Sequence, residues 1–183
     1  MPNIHCNPGK IVTYTGKYVD LLHMSPEDID ILDIAHGLSL KCRFSGQCLR
    51  FYSVAQHSCL VSDLALCDPM LALLHDSAEA YLPDIPTPLK HNDSFAWFRH
   101  MESHIQDLVF RKFVRSYPDM CGSYADADRE AFLIEWHSVM PPERRDLYEL
   151  PKTGLVIPFV CWSPDESKSR FIRMFDDLHK ESN

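Results

Sequence analysis

Apolar residues recur at helical spacing along most of the chain, while the first twenty or so positions favour strands. Ile31, Ile34, Ala35 and Leu38 fall at i, i+3, i+4 and i+7, which predicts a helix. Ser25-Pro26 followed by Glu27 and Asp28 would start it, with proline at the first helical position and acids on the positive end of the dipole, and it runs to about Leu40. KCRFSGQCLRFY is a loop by its Ser-Gly step. Ser53 and Gln56 have capping-box spacing and open a second helix through SVAQHSCLVSDLAL. Asp68-Pro69 opens a third, PMLALLHDSAEAYL, whose early half is almost wholly apolar; such a helix is central and buried. The prolines of LPDIPTPLK end it in an irregular, stiff loop. Further helices are predicted from about Phe95 to Val114 and from Ala125 to Val139, the latter stopped by Pro141-Pro142. GLVIPFV reads as a short strand interrupted by Pro158, and Ser163-Pro164-Asp165-Glu166 caps a last helix reaching about Lys180. Before all of these, Lys10 to Leu22 is β-prone and predicts a strand or hairpin around Gly16. The expected fold is a mainly α, single-domain helical bundle over residues 1–183 with minor β at the N-terminus.

Composition sharpens this picture little. A chain of 183 residues with 45% apolar and 24% charged positions suits one domain with a core of its own. No apolar run approaches the roughly 20 residues that cross a bilayer, and MPNIHCNPGK lacks the charged and apolar regions of a signal peptide. The seven cysteines are odd in number and contain no C-x-x-C, so reduced thiols in a cytoplasm are expected rather than a disulfide framework. A net charge of −8 argues against holding long nucleic acid by an overall field. It leaves room for a single nucleotide in a locally cationic pocket.

Chemistry is concentrated where the most apolar helix meets two polar groups. Leu71, Leu73 and Leu74 lead into His75-Asp76. An ionised aspartate buried without a partner costs several kcal/mol, and a metal ion would supply that partner. Glu79 follows one helical turn later, within reach of a water in such a site. His57, in SVAQHS, would be brought towards His75 if the two consecutive helices pack antiparallel. Imidazoles with carboxylates make a mixed site that leaves positions open for water and substrate. A fourth ligand must come from farther along the chain.

FYSVAQHS, LLHDSAEAYLPDIPTPLK and YADADREAFLIE, in that order, resemble the H…HD…D pattern of the HD-domain phosphohydrolase superfamily. PEDIDILDIAHGLSLKCRFSG and the short chain make it similar to bacterial 5′-deoxynucleotidases and, more closely, to small phage-type dATP triphosphohydrolases. The resemblance covers about Tyr14 to Glu135. It implies His57, His75, Asp76 and Asp128 as metal ligands, with Asp126 the alternative to Asp128. It also implies Glu79 and Asp84 as acids beside the reactive water, and Arg43 and Lys90 as cations for phosphate. Phe44 would pack on the sugar, and the Ile85-Pro86 corner would press on a base. Lys41 and Arg50 read as surface cations, His100 and His104 as surface histidines without a third ligand, and His36 as a group near the site. No P-loop sequence is present.

The expected activity is that of a metal-dependent deoxynucleotide phosphohydrolase, foremost a dNTP (dATP) triphosphohydrolase releasing deoxynucleoside and triphosphate. A 5′-deoxynucleotidase and a non-catalytic nucleotide sensor are the alternatives. The ion would be zinc, cobalt, manganese or iron, with magnesium on the substrate phosphates. The relatives imply a homo-oligomer.

Overall fold

The computed structural model describes residues 9–115, 124–153 and 160–181, and it is mainly helical, a single-domain bundle with one small hairpin. Strands β1 (Ile11–Val12) and β2 (Tyr18–Val19) pair antiparallel, and Gly16 takes the positive φ of 86° that their turn requires. Asp33, buried in helix α1 (Ile31–Leu40), accepts from the Thr15 amide at 2.7 Å and the Thr15 hydroxyl at 2.9 Å. That pair of bonds ties the hairpin to the bundle.

The expected helix from Pro26 to Leu40 is split. Ser25 donates from its amide and hydroxyl to Asp28, closing a single 3-10 turn at Pro26–Asp28. Ile29 and Asp30 are then extended, and Asp30 caps α1 by accepting from the Leu32 amide. Two competing caps within six residues leave no room for one helix.

Helix α2 (Val54–Leu64) starts where Ser53 accepts from the Gln56 amide, but Gln56 does not complete the box. Its side chain turns to the C-terminal segment, donating to the Val160 carbonyl and accepting from the Trp162 amide, both at 2.8 Å. Helix α3 is short, Pro69–Leu73. The expected continuation through His75 and Glu79 is interrupted: Leu74 and Asp76 sit near φ −100° with ψ close to zero, and a 3-10 turn follows at Ser77–Ala80. The cause lies on a distant element. An unbroken helix would bond the Ala78 amide to the Leu74 carbonyl. Gln106 of helix α5 (Ala96–Phe113) takes both groups instead, its amide donating to Leu74 at 2.7 Å and its oxygen accepting from Ala78 at 3.0 Å. A side chain inserted into the ladder is a recognised cause of a break. Gln106→Ala is expected to lower stability by about 2 kcal/mol by stranding the Ala78 amide, while the Leu74 carbonyl keeps the Ser77 amide at 3.1 Å, seen as a lower urea midpoint. An unchanged midpoint would mean the break holds without Gln106.

Between α3 and α5, the proline segment is not wholly irregular, since helix α4 (Thr87–Lys90) forms one turn with Pro88 inside its start. Helix α6 (Ala125–Val139) and helix α7 (Pro164–Glu181) match their predicted spans closely. The GLVIPFV segment lies outside the described residues except for Val160.

The core joins Ile34 and Leu38 of α1, Ala55 of α2, Leu71 and Leu73 of α3, Ile105 of α5 and Phe171 of α7, all essentially buried. Helices α1 and α7 pack together, and α2 packs on α3, α6 and α7. Gly37 lets α1 approach the Ser77–Ala80 turn, since a Cβ there would stand 3.0 Å from Ala80 backbone atoms. No described helix is long and apolar enough to cross a membrane.

Candidate metal centre and its cavity

The packing of α2 on α3 brings His57 and His75 together, their Nε2 atoms 3.3 Å apart. Asp76, on the irregular turn just past α3, puts Oδ2 at 3.3 Å from His75 Nε2 and 3.7 Å from His57 Nε2. From α6, Asp128 Oδ1 stands 3.2 Å from His57 Nε2 and 3.9 Å from His75 Nε2. Ligand atoms of His57, His75 and Asp76 lie within 4.8 Å of one another, so this group could hold a metal ion. Asp126 is exposed, two residues round the helix from Asp128, and the inward acid is Asp128.

Partners of the other ring nitrogens decide what faces the centre. His75 Nδ1 contacts the Ala72 carbonyl at 2.7 Å, and His57 Nδ1 contacts Glu135 Oε1 at 2.6 Å. A carbonyl and a carboxylate only accept, so both Nδ1 atoms donate, and each neutral ring turns its Nε2 lone pair inward. Two lone pairs and two carboxylates then converge, an arrangement that repels itself unless a cation or a proton sits among them. Burial opposes charging His75, but the Asp76 and Asp128 carboxylates outweigh it and hold its pKa at about 9. Burial likewise opposes ionising Asp76, yet His75, His57 and Arg43 keep it far below the ordinary carboxylate range. The donor set fits a metal: two oriented imidazoles, two acids, and one open side.

That open side is a cavity of about 850 Å³ lined by Asp76, Asp128, Glu79, Asp84, Arg43 and Lys90, among others. Glu79 is half-buried, and burial with the charges of Asp76 and Asp84 pushes its carboxyl up to about 8. Asp84 is exposed at the rim. Both expected phosphate cations line the cavity, but each already has an acid beside it. Arg43 Nε is 3.0 Å from Glu135 Oε2, with Nη1 3.7 Å from Asp76, and Lys90 is 2.7 Å from Glu102. Phe44 also lines the cavity, at a strained corner where it and Ser45 have φ of 56° and 50°; such strain persists only where the surroundings enforce it.

Other expectations resolve differently. Lys41 is no solvated cation: its ammonium donates to the Glu79 and Leu82 carbonyls and holds the turn that carries Glu79. His36 stacks on Tyr14 of the hairpin turn, centroids 3.9 Å apart. His100, His104 and Arg50 are exposed. Among the described cysteines there is no disulfide.

Sequence reasoning missed Glu135. It is fully buried and accepts from Tyr52 at 2.9 Å while it holds His57 and Arg43. Burial resists its ionisation, but Arg43 and His57 prevail and lower its pKa. Its place seven residues, two turns, beyond Asp128 in an apolar stretch of α6 was the available signal.

The fold and this centre define a helical protein with a His–His–Asp group able to hold a metal ion. The chain is 36% identical to the uncharacterized protein YfdR of Escherichia coli strain K12 over 182 residues, spanning 92% of this chain and 94% of the relative, and it belongs to the YfdR family. It is also 45% identical over 86 residues to the uncharacterized protein RCAP_rcc00048 of Rhodobacter capsulatus, covering 42% of this chain and 44% of that one. No protein-family model matches the chain.

Proposed function

We propose that this protein is a metal-dependent deoxynucleotide phosphohydrolase of the HD-domain type, acting foremost on a dNTP such as dATP. The observation that carries the reading is the inward convergence of two imidazole Nε2 atoms and two carboxylates at the end of an open cavity. His57, His75, Asp76 and Asp128 would hold a divalent ion of zinc, cobalt, manganese or iron, which when bound supplies Lewis acidity and lowers the pKa of water. Glu79 takes a proton from the attacking water, its raised pKa suiting proton transfer near neutrality. Asp84 at the rim relays that proton. Arg43 and Lys90 offer positive charge to phosphate oxygens from the cavity wall. A water oxygen bonds to the α-phosphorus, the bond from phosphorus to the 5′-oxygen breaks, and that oxygen gains a proton. Deoxynucleoside and triphosphate result.

Purified protein incubated with dNTPs, NTPs and dNMPs and added Mn²⁺, Co²⁺ or Mg²⁺ is expected to convert dATP to deoxyadenosine and triphosphate, by chromatography of products. Asp128→Asn should slow this by about 100-fold or more. Consumption of dNMPs alone would replace the triphosphohydrolase by a 5′-deoxynucleotidase. Binding with no consumption under any ion would overturn the enzymatic reading.

A further inference from the structure

The cavity continues past the metal centre along α6. Asp128, Arg129 and Phe132 all line it, at i, i+1 and i+4, so Phe132 lies one turn, roughly 6 Å, beyond Asp128 on the same face. Tyr148, following the 3-10 segment Pro142–Leu147, lines it too and meets Phe132 nearly edge-on, centroids 4.9 Å apart and planes at 81°. The two rings form a corner, with Tyr148 39% exposed. Trp136 backs it, 4.6 Å from Tyr148 and 5.7 Å from Phe132.

A core explanation does not account for rings that face a cavity. What lies over them is planar and delocalised: the Arg129 guanidinium stands 5.6 Å from the Phe132 centroid and 5.8 Å from that of Tyr148. Its anchor is Glu149 at 3.1 Å, with both side chains more than half exposed. An exposed pair of this kind holds weakly, so a better planar ligand can displace the guanidinium.

We propose that Phe132 and Tyr148 form the seat for a nucleobase, the base taking the place over the rings where Arg129 now lies. This rests on the phosphohydrolase reading and deepens it. With a phosphoryl group at Asp128, one helical turn along α6 is the distance a pentose spans between phosphate and base. Stacking is tolerant of base identity because every base has a π-face. The corner therefore selects for a base over a bare sugar phosphate, and polar groups elsewhere must tell bases apart.

The test uses the full chain in EDTA, so that binding is read without turnover. Deoxyadenosine, dATP and 2-deoxyribose 5-phosphate are titrated by saturation-transfer NMR. Phe132→Leu with Tyr148→Leu is expected to weaken the first two roughly ten- to hundredfold and to leave the base-free sugar phosphate unchanged. If that double variant melts early, Tyr148→Ser at its exposed site serves, with an expected loss of about tenfold. Deoxyadenosine binding as tightly to the variants as to the parent overturns the seat. Hydrolysis is scored separately with metal restored. A parent that binds deoxyadenosine at the corner yet hydrolyses nothing keeps the seat and loses the proposed reaction. Variants that hydrolyse dATP at the parent KM lose the seat and keep the reaction.

Discussion

Asp76→Ala is expected to abolish metal binding and nucleotide turnover while the helices persist. The Asp76 carboxylate, like that of Asp128, reaches both inward imidazole nitrogens, at 3.3 and 3.7 Å. The side chain is one quarter exposed, so truncating it opens no core cavity and the far-ultraviolet circular dichroism should be unchanged. Saturating an intact site at about 100 times its Kd stabilises a protein by about 2.7 kcal/mol. For a chain of this size that raises Tm by about 5–10 °C. Adding Zn²⁺ or Mn²⁺ should therefore shift the parent and leave the variant where it was. A variant that shows the parental shift, or the parental rate on nucleotides, would mean the ion binds elsewhere.

Glu135→Gln should be the most destabilising single change near the centre. This carboxylate accepts from two donors, Tyr52 and His57 Nδ1, and forms an ion pair with Arg43 Nε at 3.0 Å, with no exposure to solvent. An amide brings its own N–H groups against those donors and leaves the Arg43 guanidinium short of countercharge. Breaking a buried pair on one side costs about 3–5 kcal/mol, which for this length corresponds to a Tm lower by about 6–20 °C. Loss of the hydrogen bond that orients a ligating histidine costs about 10–100-fold in metal affinity. The two effects separate in the double variant Arg43→Met with Glu135→Met. Removing both charges should recover most of the stability but not the affinity. Full stability in Glu135→Gln alone would show that Arg43 does not depend on this acid.

Where sequence signals were local, the fold was legible. Proline pairs and caps placed α6 and α7, and glycine in a β-prone run placed the hairpin. Candidate chemistry was legible for the same reason, since a histidine and an aspartate at the end of an apolar run demand a partner wherever they go. Two of the misreadings share a cause. PMLALLHDSAEAYL contains no residue that forbids a continuous helix, and the break at Leu74–Asp76 comes from Gln106, 28 to 32 positions away. Gln56 has the right spacing for a capping box, yet its amide finds better partners in Val160 and Trp162, more than a hundred residues on.

Resemblance to a known family supplied Asp128, while the amino-acid order alone gave the helical class, most helix limits, and the His75-Asp76 pair at the end of an apolar run. Those follow from neighbours within a turn or two. Tertiary packing decided that Asp128 rather than Asp126 points inward, that Glu135 fixes both His57 and Arg43, and that an aromatic corner shares the cavity with the acids. Such choices depend on which face of one helix meets another, and contacts between distant segments leave no periodic trace in the chain.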